Sequence, residues 1–197
     1  MSDSGPGRPR ETSHAQIREI ARRLFAQHGY AATSLTQIAA EAGISRTTLF
    51  SYFPAKRDLI WEEFDAGQDR LLAALSQNDE LPAVDLLAEA LVAMADYSPA
   101  EHDGLKFRWG IVLENTELRS YSTERTEQVL QLAIDTAAQR TQVSDRQLVE
   151  QVARALGAVA EHCVERWARA DQPAVGLGDE VRLTLSPFVE RLRTLLD

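Results

Sequence analysis

One cysteine, Cys163, stands among 197 residues. A single thiol excludes an intrachain disulfide, so packing alone must hold the fold, which suits a reducing cytoplasm. No apolar run of about 18 residues and no secretory leader is present, so neither a membrane span nor export is expected. Strand-like alternation is missing, as are internal repeats and low-complexity blocks outside the first dozen residues. Enzyme signatures are missing too. The stretch VGLGDEV from Val175 to Val181 contains G-x-G but lacks the third glycine and a preceding strand, and no G-x-S-x-G or P-loop pattern occurs. The four histidines, at 14, 28, 102 and 162, show no metal-ligand spacing with Cys163. Glu62 and Glu63 are neighbours on a helix, point in different directions and read as solvated surface. No catalytic residue, metal or cofactor is therefore expected, and the chain does not read as an enzyme.

What the sequence does hold is concentrated near its start. In LTQIAAEAGISRTTLFSYFPAK, Leu35 to Lys56, two short helices meet at a glycine. Ser34 caps the first with Gln37 at the spacing of a capping box, and Leu35, Ile38, Ala39 and Ala42 fall on one side. Gly43 supplies the positive φ that the helix end needs, and Ile44 follows as an apolar plug. Ser45 caps the second helix, Leu49 and Phe53 share its inner face, and Pro54 stops it. Arg46, Thr47, Thr48, Ser51 and Tyr52 are left outside, short polar groups suited to base edges and phosphates. The pattern is a helix-turn-helix, although the same spacing also serves two helices of an ordinary bundle with a solvated face.

Charge separates along the chain. Residues 1–60 carry eight Lys and Arg against five Asp and Glu, a net of +3, and the remainder carries 13 against 25, a net of −12. A chain with a net charge of −9 binds nucleic acid poorly as a whole, so contact with DNA is confined to the basic end. Ahead of the motif, Ile17, Ile20, Ala21, Leu24 and Phe25 form the stripe of a first helix capped by Ser13 with Gln16 and ended by Gly29.

The segment from Ile17 to Phe64 resembles the N-terminal domain of the TetR family of bacterial transcriptional regulators. Ala21, Leu24, Phe25, Gly29, Tyr30, Thr33, Ile38, Ala39, Ala42 and Gly43 carry the likeness, followed by Ser45, Thr48, Leu49, Phe50, Tyr52, Phe53, Lys56 and Leu59. The resemblance implies an all-α chain: a flexible arm over 1–11, a three-helix DNA-binding domain over 12–56, and a larger helical ligand-binding and dimerisation domain over 57–197 that opens with a connecting helix over 57–77. With the outward face of the motif, it nominates Ser34, Thr36, Ser45, Arg46, Thr47, Thr48, Phe50, Ser51, Tyr52 and Lys56 for DNA, Lys56 through a phosphate. Phe50 departs from the tyrosine usual in the family and lacks the hydroxyl that would touch a phosphate. Arg8 and Arg10, in the arm, are placed to enter a minor groove or simply to belong to a floppy terminus.

Farther on, helices are predicted at 57–77, 82–98, 104–115, 117–140, 145–170 and 179–196, with Ser144 and Gln147 as a further capping box. Pro187 either kinks the last helix or starts a new one. Leu148, Val152, Leu156 and Val159, with Phe188, Leu192 and Leu195, make apolar stripes on the last two helices. In the family such helices pair with their symmetry mates, so these residues are nominated for a homodimer interface; intrachain core is the other reading of the same stripes. The resemblance also implies a small-molecule cavity between residues 82 and 170. Met94, Tyr97, Phe107, Arg108, Trp109 and Leu113, with Tyr121, His162, Cys163 and Trp167, mix aromatic walls and polar groups as pockets do. The stretch WEEF is similar to a branch of the family tied to acyl-thioester or redox-cofactor regulation, which points to an apolar or acyl-bearing inducer. The expected function is a homodimeric, ligand-responsive repressor that reads a near-palindromic double-stranded operator and lets go when the inducer binds. The competing reading is a helical small-molecule-binding or enzymatic module whose helix-turn-helix no longer reads DNA.

Overall fold

The computed structural model describes residues 13–77, 81–140 and 145–196, leaving aside the side chains of 140 and 194–196. Among the described residues the chain forms helices and no strand: α1 (His14–His28), α2 (Leu35–Glu41), α3 (Arg46–Tyr52), α4 (Asp58–Gln77), α5 (Ala83–Met94), α6 (His102–Glu114), α7 (Thr116–Arg140), α8 (Arg146–Arg169) and α9 (Leu177–Leu196). The all-α expectation holds. The N-terminal arm and Ser144 lie outside the described residues. The chain divides into two compact units, one reaching to Glu62 and the other starting at Glu63. The sequence reading places the boundary at the start of α4, whereas this division falls inside that helix.

In the first unit, local chemistry sets the helix starts. Ser13 with Gln16 and Ser34 with Gln37 form reciprocal capping boxes, and the Ser45 hydroxyl accepts the Thr48 amide at 3.0 Å. Gly43 sits at φ +67°, where any other residue would be strained. Ile17, Ala21 and Phe25 of α1, Ile38 and Ala39 of α2, Leu49 of α3, Phe53, and Leu59, Ile60 and Trp61 of α4 are the buried apolar residues of this unit. Arg18 pairs with Glu62 at 3.2 Å, tying α1 to the start of α4.

Lys56 also serves the fold of its own unit. Its ammonium donates to the carbonyl oxygens of Tyr30 at 2.8 Å and Thr33 at 2.9 Å and lies 4.2 Å from the centre of the Tyr30 ring. The ammonium thus fastens the α1–α2 loop, where the Tyr30 carbonyl also accepts the Thr33 amide at 3.3 Å. The buried Thr33 hydroxyl donates to the Gly29 carbonyl at 2.9 Å and completes the same loop.

In the second unit α8 and α9 pack on each other and on α5. Val149, Val152, Leu156, Cys163 and Trp167 of α8 bury against Leu177, Val181 and Leu185 of α9 and Val84, Leu86 and Leu87 of α5. Asp145 caps α8 through the Leu148 amide at 3.0 Å. Helix α5 ends at Met94, short of the predicted 98. Ser98 precedes a proline and is extended, and Pro99–Glu101 form a short 3-10 turn. The carbonyls freed at the helix end are taken by tertiary partners: the Arg70 guanidinium donates to Ala93 and Met94 at 3.0 and 3.1 Å, and the Leu177 amide donates to the Tyr97 carbonyl at 2.9 Å. Pro187 lies within a continuous α9, on its exposed side, so the missing amide costs one bond to the carbonyl four residues back and no packing.

The α9 start reaches the α5 end because it is glycine. A Cβ on Gly176 would stand 3.0 Å from the Tyr97 carbonyl oxygen, and one on Gly178 would stand 3.3 Å from that of Val92. Gly176→Ala is expected to lower stability in urea denaturation by about 1 kcal/mol or more. Gly104→Ala, in α6 with open space around it, is expected to raise stability by about 0.4–1 kcal/mol. Lys56→Met is expected to lower the unfolding free energy of the first unit by about 1.5–3 kcal/mol, the range of hydrogen bonds to a charged group, read by the same denaturation.

Candidate nucleic-acid interface

The outer face of α3 follows from which residues its inner face buries. Leu49 and Phe53 are buried, so positions one helical step away turn outward: Arg46, Thr47, Phe50 and Ser51 are exposed. Thr48 and Ser45, also exposed, are joined hydroxyl to hydroxyl at 2.8 Å at the helix start. The Ser51 hydroxyl donates to the Thr48 carbonyl at 2.7 Å, which leaves its oxygen as an acceptor. Ser34 and Thr36 are exposed at the start of α2, with the Ser34 hydroxyl engaged by Gln37. Tyr52 is half-buried rather than outside, its ring 4.9 Å from that of His14, because α1 packs along that flank. The Arg46 guanidinium lies over the Phe50 ring, 5.1 Å from its centre.

The residues nominated for a small molecule scatter. Met94, Tyr97 and Trp109 pack on the core of the second unit, and Cys163 and Trp167 lie inside it. The Trp167 indole donates to the Val175 carbonyl at 3.0 Å, and the buried Nε1 of Trp109 has no hydrogen-bond partner among the described residues. Phe107 is half-buried. Leu113 is 41% exposed and His162 is exposed, so neither lines an interior: each lies on the outward flank of a helix whose other side faces the core. Tyr97 and Arg108 do meet. The Arg108 guanidinium is 5.8 Å from the Tyr97 ring centre and pairs with Glu63, to whose carbonyl the Tyr97 hydroxyl donates at 3.1 Å. Burial pushes the Tyr97 phenol up, and the nearby Arg70 guanidinium offsets part of that rise. Tyr121 lies beside Arg125, which pairs with Asp65 of α4.

An open groove of about 680 Å³ runs between α4, α5 and the start of α9. Of the nominated residues only Tyr97 lines it; Arg70, Glu89, Asp96, Asp179 and Arg182 supply its polar rim and Ala73, Ala74, Val92 and Ala93 its apolar part. The sequence reading missed these charged residues because nothing marks a surface arginine as a groove wall. It also missed His102, buried with Nε2 3.0 Å from the Trp167 carbonyl oxygen. A carbonyl only accepts, so that nitrogen carries the proton.

The stripe nominated for a partner divides. Val152 and Leu156 are 3% and 1% exposed within the chain's own core, which corrects their assignment to an interface, since α5 and α9 already cover them. Leu148, Val159 and Leu192 are half-buried, Phe188 is exposed, and the side chain of Leu195 lies outside the described residues. The outward side of α8 instead carries Ala155, Ala158 and His162, and α9 exposes Leu183 at 71%. Among the described residues no helix is long and apolar enough to cross a membrane, and no cluster of His, Cys, Asp or Glu is arranged to hold a metal.

Comparison with known proteins places these features in a lineage. Residues 17–62 match the family model described as bacterial regulatory proteins, tetR family, and residues 81–187 match the model of the MftR C-terminal domain. A Mycobacterium tuberculosis regulator named for mycofactocin biosynthesis, MftR, is 34% identical over 121 residues, a match that spans 61% of this chain and 61% of that protein's length. A Pseudomonas putida protein named as a probable HTH-type transcriptional regulator, ArpR, is 26% identical over 183 residues, 86% of each chain. A solved transcriptional regulator from Aquifex aeolicus superposes with a TM-score of 0.59 at 17% identity, over 89% of this chain and 98% of its own, and so shares the fold. With both the helix-turn-helix and the longer C-terminal region matched, the chain belongs to the TetR family of bacterial transcriptional regulators.

Proposed function

We propose that this protein is a cytoplasmic, ligand-responsive repressor that binds a near-palindromic double-stranded operator as a homodimer and is released by a small-molecule inducer. The observation that carries the reading is the division of α3: its apolar residues are spent on the core, and Arg46, Thr47, Phe50 and Ser51 stand out from it. A seven-residue helix with that surface fits a major groove, and two copies read half-sites about 34–36 Å apart. Residues 12–56 then form the reading domain and 57–197 the effector and dimerisation domain.

Two features support the rest. The groove is walled by Arg70, Ala73, Ala74 and Gln77 of α4, the helix that continues from the reading domain, so an occupant would touch that helix directly. Its charged rim and alanine-rich part suit a molecule with a polar head and an apolar portion, as acyl-bearing compounds have. By differential affinity such a ligand would favour the conformation of α4 in which the two heads no longer match the grooves. The partner surface is the outward face of α8 and α9, where small Ala155 and Ala158 permit close helix approach and Leu183 and Phe188 offer uncovered apolar area.

Arg46→Ala is expected to cost about 1–3 kcal/mol on operator DNA and to relax preference at one base pair, read by fluorescence anisotropy on duplexes selected by the protein. Leu183→Asp is expected to give a folded monomer that binds operator weakly, because each leucine withdrawn from a shared face forfeits about 1.5–3 kcal/mol. Sedimentation with circular dichroism reads both; an intact dimer would remove Leu183 from the interface.

A further inference from the structure

We propose that Arg46 and Phe50 act as one reading element that selects a guanine and a thymine on adjacent base pairs, the thymine recognised through its C5-methyl group. The inference rests on the reading of α3 as the helix that enters the groove. It starts from an anomaly: Phe50 is 37% exposed on a helix whose other outward residues are Arg, Thr and Ser. Leu49 and Phe53 already hold α3 to its unit, so the phenyl ring is not needed for the core.

A phenyl ring has neither donor nor acceptor. It gains nothing from a phosphate oxygen or from the polar edges of guanine, cytosine and adenine. The thymine methyl is the one apolar feature that the major groove presents, and apolar contact is how it is read.

The second half of the element is the stack. Arg46 lies one helical turn before Phe50, with its guanidinium carbon 5.1 Å from the ring centre. Stacking uses the face of the guanidinium, whereas its hydrogen bonds leave from the edge in the plane. Among the described residues Arg46 has no ion pair, and a guanidinium over a ring face keeps its N–H donors available. An arginine held in this way has lost rotamer freedom in advance and presents the fork that matches guanine O6 and N7. The separation also sets the register. Successive base pairs are about 3.4 Å apart, so groups 5.1 Å apart address neighbouring pairs rather than distant ones.

The full-length protein is first used to select duplexes from a random library. Each thymine of the selected half-site is then replaced by deoxyuridine, which removes only the methyl group. At one thymine per half-site, next to a preferred guanine, wild-type affinity is expected to fall about fourfold, the worth of one buried methyl-sized group. Phe50→Ala should lose a similar factor on the thymine duplex and show no further loss on the deoxyuridine duplex. Phe50→Leu should keep the thymine dependence while its discrimination at the guanine falls, because the stack is gone and an apolar contact remains. Melting by circular dichroism checks that these variants at an exposed position are folded. Equal affinity for thymine and deoxyuridine duplexes at every position overturns the proposal, as does a deoxyuridine penalty that persists in Phe50→Ala. The two levels separate cleanly. If Arg46→Ala loses affinity while deoxyuridine is silent, α3 reads the groove but the composite element is wrong. If Arg46→Ala and Phe50→Ala both bind the selected duplex as wild type does, the groove reading of α3 falls with it.

Discussion

A helix of seven residues has too few internal hydrogen bonds to hold itself in water, so α3 exists only because Leu49 and Phe53 are buried. Everything the first unit offers to a partner depends on that burial. With the inner face anchored, helical geometry turns Arg46, Thr47, Phe50 and Ser51 outward together, with the Arg46 guanidinium over the Phe50 ring. The anchor is supported in turn from α1 and α2 through Phe25, Ile17 and Ile38, and the loop between those helices is fastened by the ammonium of Lys56.

The second unit is governed by a different constraint, the close crossing of the α9 start over the α5 end. Glycines 176 and 178 let backbone meet backbone, and Arg70, reaching from α4, takes the carbonyls that this ending leaves open. The crossing seats the stripe Val152, Leu156, Cys163 and Trp167 inside the chain. Once that stripe is used, the small residues interleaved with it, Ala155 and Ala158, become the outward side of α8. Helix α4 is held to its neighbours in this unit by paired charges, Glu63 with Arg108 and Asp65 with Arg125. These pairs are at least partly open to solvent, so they steer the orientation of the helix more than they stabilise it.

The sequence by itself determined what depends on neighbours within about four residues. The capping boxes of Ser13 and Ser34, the positive-φ turn at Gly43, the inward pairing of Leu49 with Phe53 and the all-helical character are interactions between positions i and i+3 or i+4, and they are legible in one dimension. Periodicity states that a stripe is buried, but it does not state against what. Only the tertiary structure decided that Val152 and Leu156 belong to the chain's own core, that Lys56 serves two loop carbonyls, and that His102 is buried on the last turn of α8. It also decided where α5 stops, since Arg70 and the Leu177 amide arrive from residues more than twenty positions away. A charged or polar side chain takes its partner from whatever the fold brings within about 3 Å, and that partner leaves no periodic trace in the sequence.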